Sequence, residues 1–159
     1  QSADVQFEDL GSPASLTGLL METLYKNNKK SIKHIKSDSY GITFRLKGIY
    51  VHNGKYYFHT ELQNETFVTF ATDFITFKIA DRKVAKRTVM QEKVLDPLRT
   101  YSPLLPVKGQ TKEHNIYLLD VFTLSEGQVL LIEDTKGEGH LSTFSSDEPC
   151  TFMTMHLFE

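Results

Sequence analysis

The sequence predicts a mainly β protein, an antiparallel β-sandwich (Ig-like or barrel-like) of about eight short strands with one N-terminal helix. Three observations carry this expectation. Eleven Phe and seven Tyr, with no Trp, among 159 residues suit a pleated, half-buried surface. Beyond Ser31 the apolar pattern repeats every second residue. Turn signals such as Asn53-Gly54 and Ser125-Glu126-Gly127 divide the apolar runs into short pieces. Hydrophobic residues at 40% and charged residues at 24% are ordinary for a packed globular chain. Residues 1–11 read as a linker or trimmed terminus, and 12–159 as a single sandwich domain opened by a short helix.

The helix is signalled by Ser12 as its N-cap and Pro13 at its first position. Leu16, Leu19, Leu20 and Leu24 recur at helical spacing, and Asn27-Asn28 closes the run. Lys26, Lys29 and Lys30 then sit at the negative end of the helix dipole.

Ile42, Phe44, Leu46 and Tyr50 alternate with polar residues, and Tyr56, Phe58 and Leu62 answer them beyond Asn53-Gly54. A two-residue loop carried through without interruption would set Leu46 against Glu61. A three-residue loop, His52-Asn53-Gly54, pairs Phe44 with Leu62 and Tyr50 with Tyr56 and keeps the apolar faces together, so a bulged three-residue loop is expected.

Further strands are expected at Phe67–Phe70, Phe74–Ile79, Ile116–Leu124, Gln128–Asp134, Leu141–Phe144 and Thr151–Leu157. Val84–Val94 can continue extended after a turn at Asp81-Arg82-Lys83, and Lys136-Gly137-Glu138-Gly139 reads as another turn. Pro97, Pro103, Pro106 and Gly109 leave Asp96–His114 without a regular element, and loops of that length are usually functional or flexible.

The search for chemistry predicts no enzyme. No phosphate-binding glycine loop, nucleophile elbow or H-E-x-x-H motif occurs. His34, His52, His59, His114, His140 and His156 are scattered without ligand spacing, which predicts solvated side chains, no metal and no cofactor. Cys150 is the one cysteine, so no disulfide closes within the chain. Glu133 and Asp134, adjacent on a strand, point to opposite faces and form no acid–base pair. Asp73 and Asp120 lie within apolar runs, and Asp120 is expected in a structural ion pair or facing solvent. Asn64-Glu65-Thr66 matches a glycosylation acceptor but reads better as a strand-ending turn. No run of 18 apolar residues suggests a membrane-crossing helix, and Gln1-Ser2-Ala3-Asp4 reads as no signal peptide. Formal charge is −2, yet basic residues crowd the first two-thirds and acidic ones follow Glu113. That asymmetry suits oriented docking and gives nucleic acid no special support.

The segment Phe74–Glu92, containing Lys78-Ile79-Ala80-Asp81-Arg82-Lys83-Val84-Ala85-Lys86-Arg87-Thr88-Val89-Met90-Gln91, resembles the signature of conjugative transposon TraN proteins of Bacteroides-type elements. Asn27–Ile35, the hairpin Leu46–Phe58 and Asp96-Pro97-Leu98-Arg99 agree in order, so the likeness runs from about Gly11 to Glu138. Where the family has Gly-Gly-Arg near its last turn, this chain has Gly137-Glu138-Gly139-His140.

The resemblance implies a C-terminal β-sandwich similar to the periplasmic core-complex subunit of type IV secretion systems, held near the outer membrane. The implied role is assembly with other conjugation and secretion-channel proteins, including a small outer-membrane lipoprotein. Membrane association would run through partners only, with no direct nucleic-acid contact. Candidate partner contacts are Lys83, Lys86, Arg87, Gln91, Arg99 and Tyr101, with strand addition to an exposed sheet edge as the physical route. The alternative is an Ig-like module binding a glycan or peptide through exposed aromatics on one sheet face.

Overall fold

The computed structural model describes residues 13–72, 74–81, 92–135 and 151–155. Helix α1 (Pro13–Asn27) precedes β1 (Lys36–Ser39), β2 (Ile42–His52), β3 (Lys55–Asn64), β4 (Phe74–Asp81), β5 (Glu92–Leu95), β6 (Arg99–Thr100), β7 (Thr111–Asp120), β8 (Gln128–Thr135) and β9 (Thr151–Met155). The strands pair antiparallel in a five-stranded sheet, β1-β2-β3-β7-β6, and a four-stranded sheet, β5-β4-β8-β9. The predicted antiparallel sandwich is therefore present. Ser12, Asp73, residues 82–91, the 136–139 turn, the strand placed at 141–144 and Cys150 lie outside the described residues.

Alternation on the strands builds the core. Phe44 and Leu46 from β2, Phe58 and Leu62 from β3 and Tyr117 and Leu119 from β7 face Ile75 and Phe77 of β4 and Leu130 and Ile132 of β8. The ring of Phe58 lies 5.3 Å from Phe77 and 6.5 Å from Phe122, measured between centroids. On the outer face of the second sheet, Lys78 bridges Glu133 at 2.9 Å and Glu92 at 3.3 Å. Burial lowers the Lys78 pKa, but its bonds to and charges of Glu133 and Glu92 win and hold it above the usual lysine value.

Helix α1 makes a third layer on the outer face of the first sheet. Met21 is fully buried there against Tyr57, Ile116 and Leu118, flanked by Leu20, Leu24 and Tyr25. The buried stripe is thus turned from the expected one, with Leu19 exposed. Asn28 ends the helix with a left-handed backbone (φ 48°).

The β2–β3 hairpin corrects the expected loop. Asn53 and Gly54 (φ 52° and 71°) form a two-residue turn, with His52 opposite Lys55 and Tyr50 opposite Tyr57. The even register nevertheless returns at Leu46–Thr60 and Phe44–Leu62, because the bulge lies inside the strand, at Lys47. One extra residue reverses the alternation. Ile49 therefore packs on the inter-sheet core, and Tyr50 turns to the helix side.

Other boundaries shift as well. β1 was not foreseen, because Lys-Ser-Asp-Ser carries no apolar alternation; Tyr40-Gly41 joins it to β2 in a second tight turn (φ 53° and 82°). Phe67–Phe70 is no strand: only Phe70 forms a bridge, to Val107. β7 starts at Thr111 and stops at Asp120, which pairs with Lys55 at 3.0 Å as an exposed structural ion pair. Asn64 ends β3 in the expected turn, and Gly127 (φ 84°) supplies the one before β8.

Candidate functional site

Lys83, Lys86, Arg87 and Gln91 lie outside the described residues. Arg99 and Tyr101 do come together, against the helix. Arg99 is exposed and its Nη1 donates to the Ala14 carbonyl at 3.0 Å. Tyr101 packs on Tyr25, with ring centroids 4.6 Å apart.

The proline-rich stretch builds a sheet edge. Tyr101 N–H bonds the Ile116 carbonyl and Leu98 N–H the Leu118 carbonyl, so even-numbered residues of β7 direct their backbone groups away from β3. The Asn115 side chain holds Ser102 through both its N–H and its carbonyl, and Pro103, Leu104 and Leu105 then lie beside Glu113, His114 and Asn115. Among the described residues no backbone group then pairs with Lys112 or His114 on that side. Next to this edge, Ile75, Pro97, Pro103, Leu104 and Tyr117 line an open groove of about 350 Å³.

One end of the sandwich carries an apolar tip. Phe67 is 89% exposed and Val68 73%, with exposed Tyr40 in the neighbouring β1–β2 turn. The loop beneath them is fastened. The Asn64 side chain accepts from the Thr66 N–H and hydroxyl and donates to the Val68 and Val107 carbonyls, at 2.7–2.9 Å. Gln110 donates to the Glu65 carbonyl, and Glu65 N–H bonds the Gly41 carbonyl. A Cβ on Gly41 would stand 2.5 Å from the Thr66 methyl, so the close approach of the two loops requires glycine there. Asn64 is buried, with its amide nitrogen already committed, which argues against the glycosylation reading. Asn64→Ala is expected to cost about 1–2 kcal/mol in urea unfolding, since it removes a buried hydrogen bond to the Val107 carbonyl, which keeps the Phe70 N–H, and unlatches the tip.

A third feature was missed by sequence reasoning: a buried polar cluster under helix α1. Glu61 (6% exposed) receives Arg45 at 3.0 Å and Lys47 (5% exposed) at 3.2 Å, and Lys47 also bonds the Asn28 side chain. Burial raises the Glu61 pKa, but Lys47, Lys112 and Arg45 outweigh that and hold the carboxyl below its usual range. His59 Nε2 and His114 Nδ1 are 2.9 Å apart, and Tyr25 stacks on His114 at 4.0 Å. The expectation of scattered, solvated histidines fails here, because β3 and β7 bring His59 and His114 side by side and His59 is buried. Among the described residues no three His, Cys, Asp or Glu side chains form a metal-binding group. The available signal was the cross-strand pairing of Arg45 with Glu61 in the even register.

The chain belongs to the family DUF4138, a domain of unknown function, whose profile matches residues 14–145. No curated protein and no solved structure matches it.

Proposed function

We propose that this DUF4138 domain is a structural subunit of a conjugative DNA-transfer apparatus in the cell envelope, acting by protein–protein assembly without catalysis. The family's association with conjugative transposon proteins supports the reading, and the resemblance sharpens it to a TraN-type subunit. The observation that carries the proposal is the fastened tip. Exposed apolar side chains gathered on a loop held by Asn64 and Gln110 lose little freedom on docking, which is how a preorganised contact keeps its affinity.

Strand addition at the β7 edge is the second contact we propose: a partner segment would pair with Lys112 and His114 and lay a side chain in the groove beside Leu104. On this reading the domain works in the periplasm near the outer membrane, with a small lipoprotein and channel proteins as partners. Lys83, Lys86, Arg87, Gln91, Arg99 and Tyr101 remain candidate contacts. A glycan- or peptide-binding module would favour aromatics spread over one open sheet face. Helix α1 covers that face of the first sheet, and the exposed rings of Tyr40 and Phe67 stand at the tip.

The test is co-purification from cells carrying the intact element. The tagged wild-type chain is expected to bring other transfer proteins with it, and Phe67→Ser/Val68→Ser to lose them at unchanged melting temperature. Full retention by the double variant would remove the tip's role. A wild-type chain that brings none would overturn the function.

A further inference from the structure

We propose that the His59–His114 pair is an acid-operated latch for helix α1, lifting the helix from the first sheet when protons are taken up and baring the apolar face beneath. The two rings meet nitrogen to nitrogen at 2.9 Å, a contact that needs a donor on one ring and a lone pair on the other. Protonating both sets N–H against N–H. His59 Nδ1 is buried with no hydrogen-bond partner among the described residues, so a proton added there meets no acceptor.

The groups around the pair offer little relief. Arg45 and Lys47 of β2 and Lys112 of β7 are cationic, and the Glu61 carboxylate on β3 is already engaged by Arg45 and Lys47. From the helix comes Tyr25, stacked on His114 and leaning on Tyr101 beyond β6. A charged His114 is drawn to the face of Tyr25, so when N–H against N–H pushes His114 away from His59, Tyr25 and the helix that carries it move with the ring. The inter-sheet core of Phe44, Phe58 and Phe77 lies on the other face of the sheet and takes no part in the latch. Lifting bares Tyr57, Ile116 and Leu118, which Met21 covers.

Burial, then the charges of Lys47 and His114, hold His59 down to about 4 against the opposing pull of Glu61. Burial and Lys47 lower His114 likewise. A ring near 4 when closed and near 6.5 when freed binds protons more readily in the lifted state between those values. Acidification from pH 6.5 towards 4 therefore favours lifting by on the order of 100-fold. Above pH 6.5 the latch is closed, and below 4 the effect has levelled off.

Hydrogen exchange, corrected for the intrinsic rate, tests this on the whole chain. Amides of Leu20–Tyr25 are expected to lose protection by on the order of 100-fold between pH 6.5 and 4 while those of Phe77–Ile79 keep theirs, and His59→Leu to flatten the dependence. Loss of both sets together, or an unchanged dependence in His59→Leu, overturns the latch. Should His59→Leu not fold, an NMR titration of the wild-type chain decides. Tyr25 ring shifts that follow His59 protonation support the proposal, and Tyr25 shifts indifferent to it refute it.

Discussion

Glu61→Ala is expected to destabilise the domain by about 3–5 kcal/mol, because it leaves two cations without their anion under the helix. Lys47 and Arg45 reach Glu61 at 3.2 and 3.0 Å, and Lys47 is as deeply buried as Glu61 itself. Removing the carboxylate strands a buried ammonium whose remaining partner is the Asn28 side chain. The melting temperature should drop by roughly 10 °C for a domain of this size. The paired change Glu61→Leu with Lys47→Met should recover part of that loss, since a buried ion pair often contributes little over apolar residues of similar volume, while Arg45 is left with Gln63 at 3.4 Å. Thermal melts of the three proteins check this; a single variant as stable as wild type would show the pair to be solvated.

Phe58→Ala is expected to cost about 3–5 kcal/mol, by lost transfer energy plus the cavity left between the sheets. Phe58 is fully buried and touches both layers: its ring meets Phe77 of β4, Tyr56 of its own strand and Phe122 after β7. Rings on both sides leave the site little room to collapse. Equilibrium unfolding in urea measures the cost, and a loss below about 1 kcal/mol would place Phe58 outside the inter-sheet core.

Much of this architecture could be read from residue order. Period-two apolar runs gave the partners Phe44 and Leu62 and the shared face of Ile75 and Phe77, and leucines at helical spacing behind Pro13 gave the helix ahead of the sheet. The hairpin shows where such reading stops. A bulge in the loop and a bulge at Lys47 both restore the Phe44–Leu62 register, and only backbone hydrogen bonding separates them. β1 escaped because a short edge strand has no apolar face to advertise. Phe67-Val68 misled in the other direction: its apolar residues look like a strand, yet they point to solvent from a loop that Asn64 fastens.

The candidate site was legible only in part. Arg99 and Tyr101 stand at the β6 edge of the first sheet, and their contact with α1 is a tertiary fact with no local signal. The histidine pair joins residues 55 positions apart and depends on the β3–β7 register.

The bulge at Lys47 has one more effect. Its carbonyl receives the amides of Ser31 and Ile32, both at 2.8 Å, a few residues after the helix ends. A helix that leaves the sheet is thereby still leashed to β2 by a short connector. Its return is unimolecular, with an effective concentration on the order of millimolar, so re-docking does not depend on how dilute the protein is.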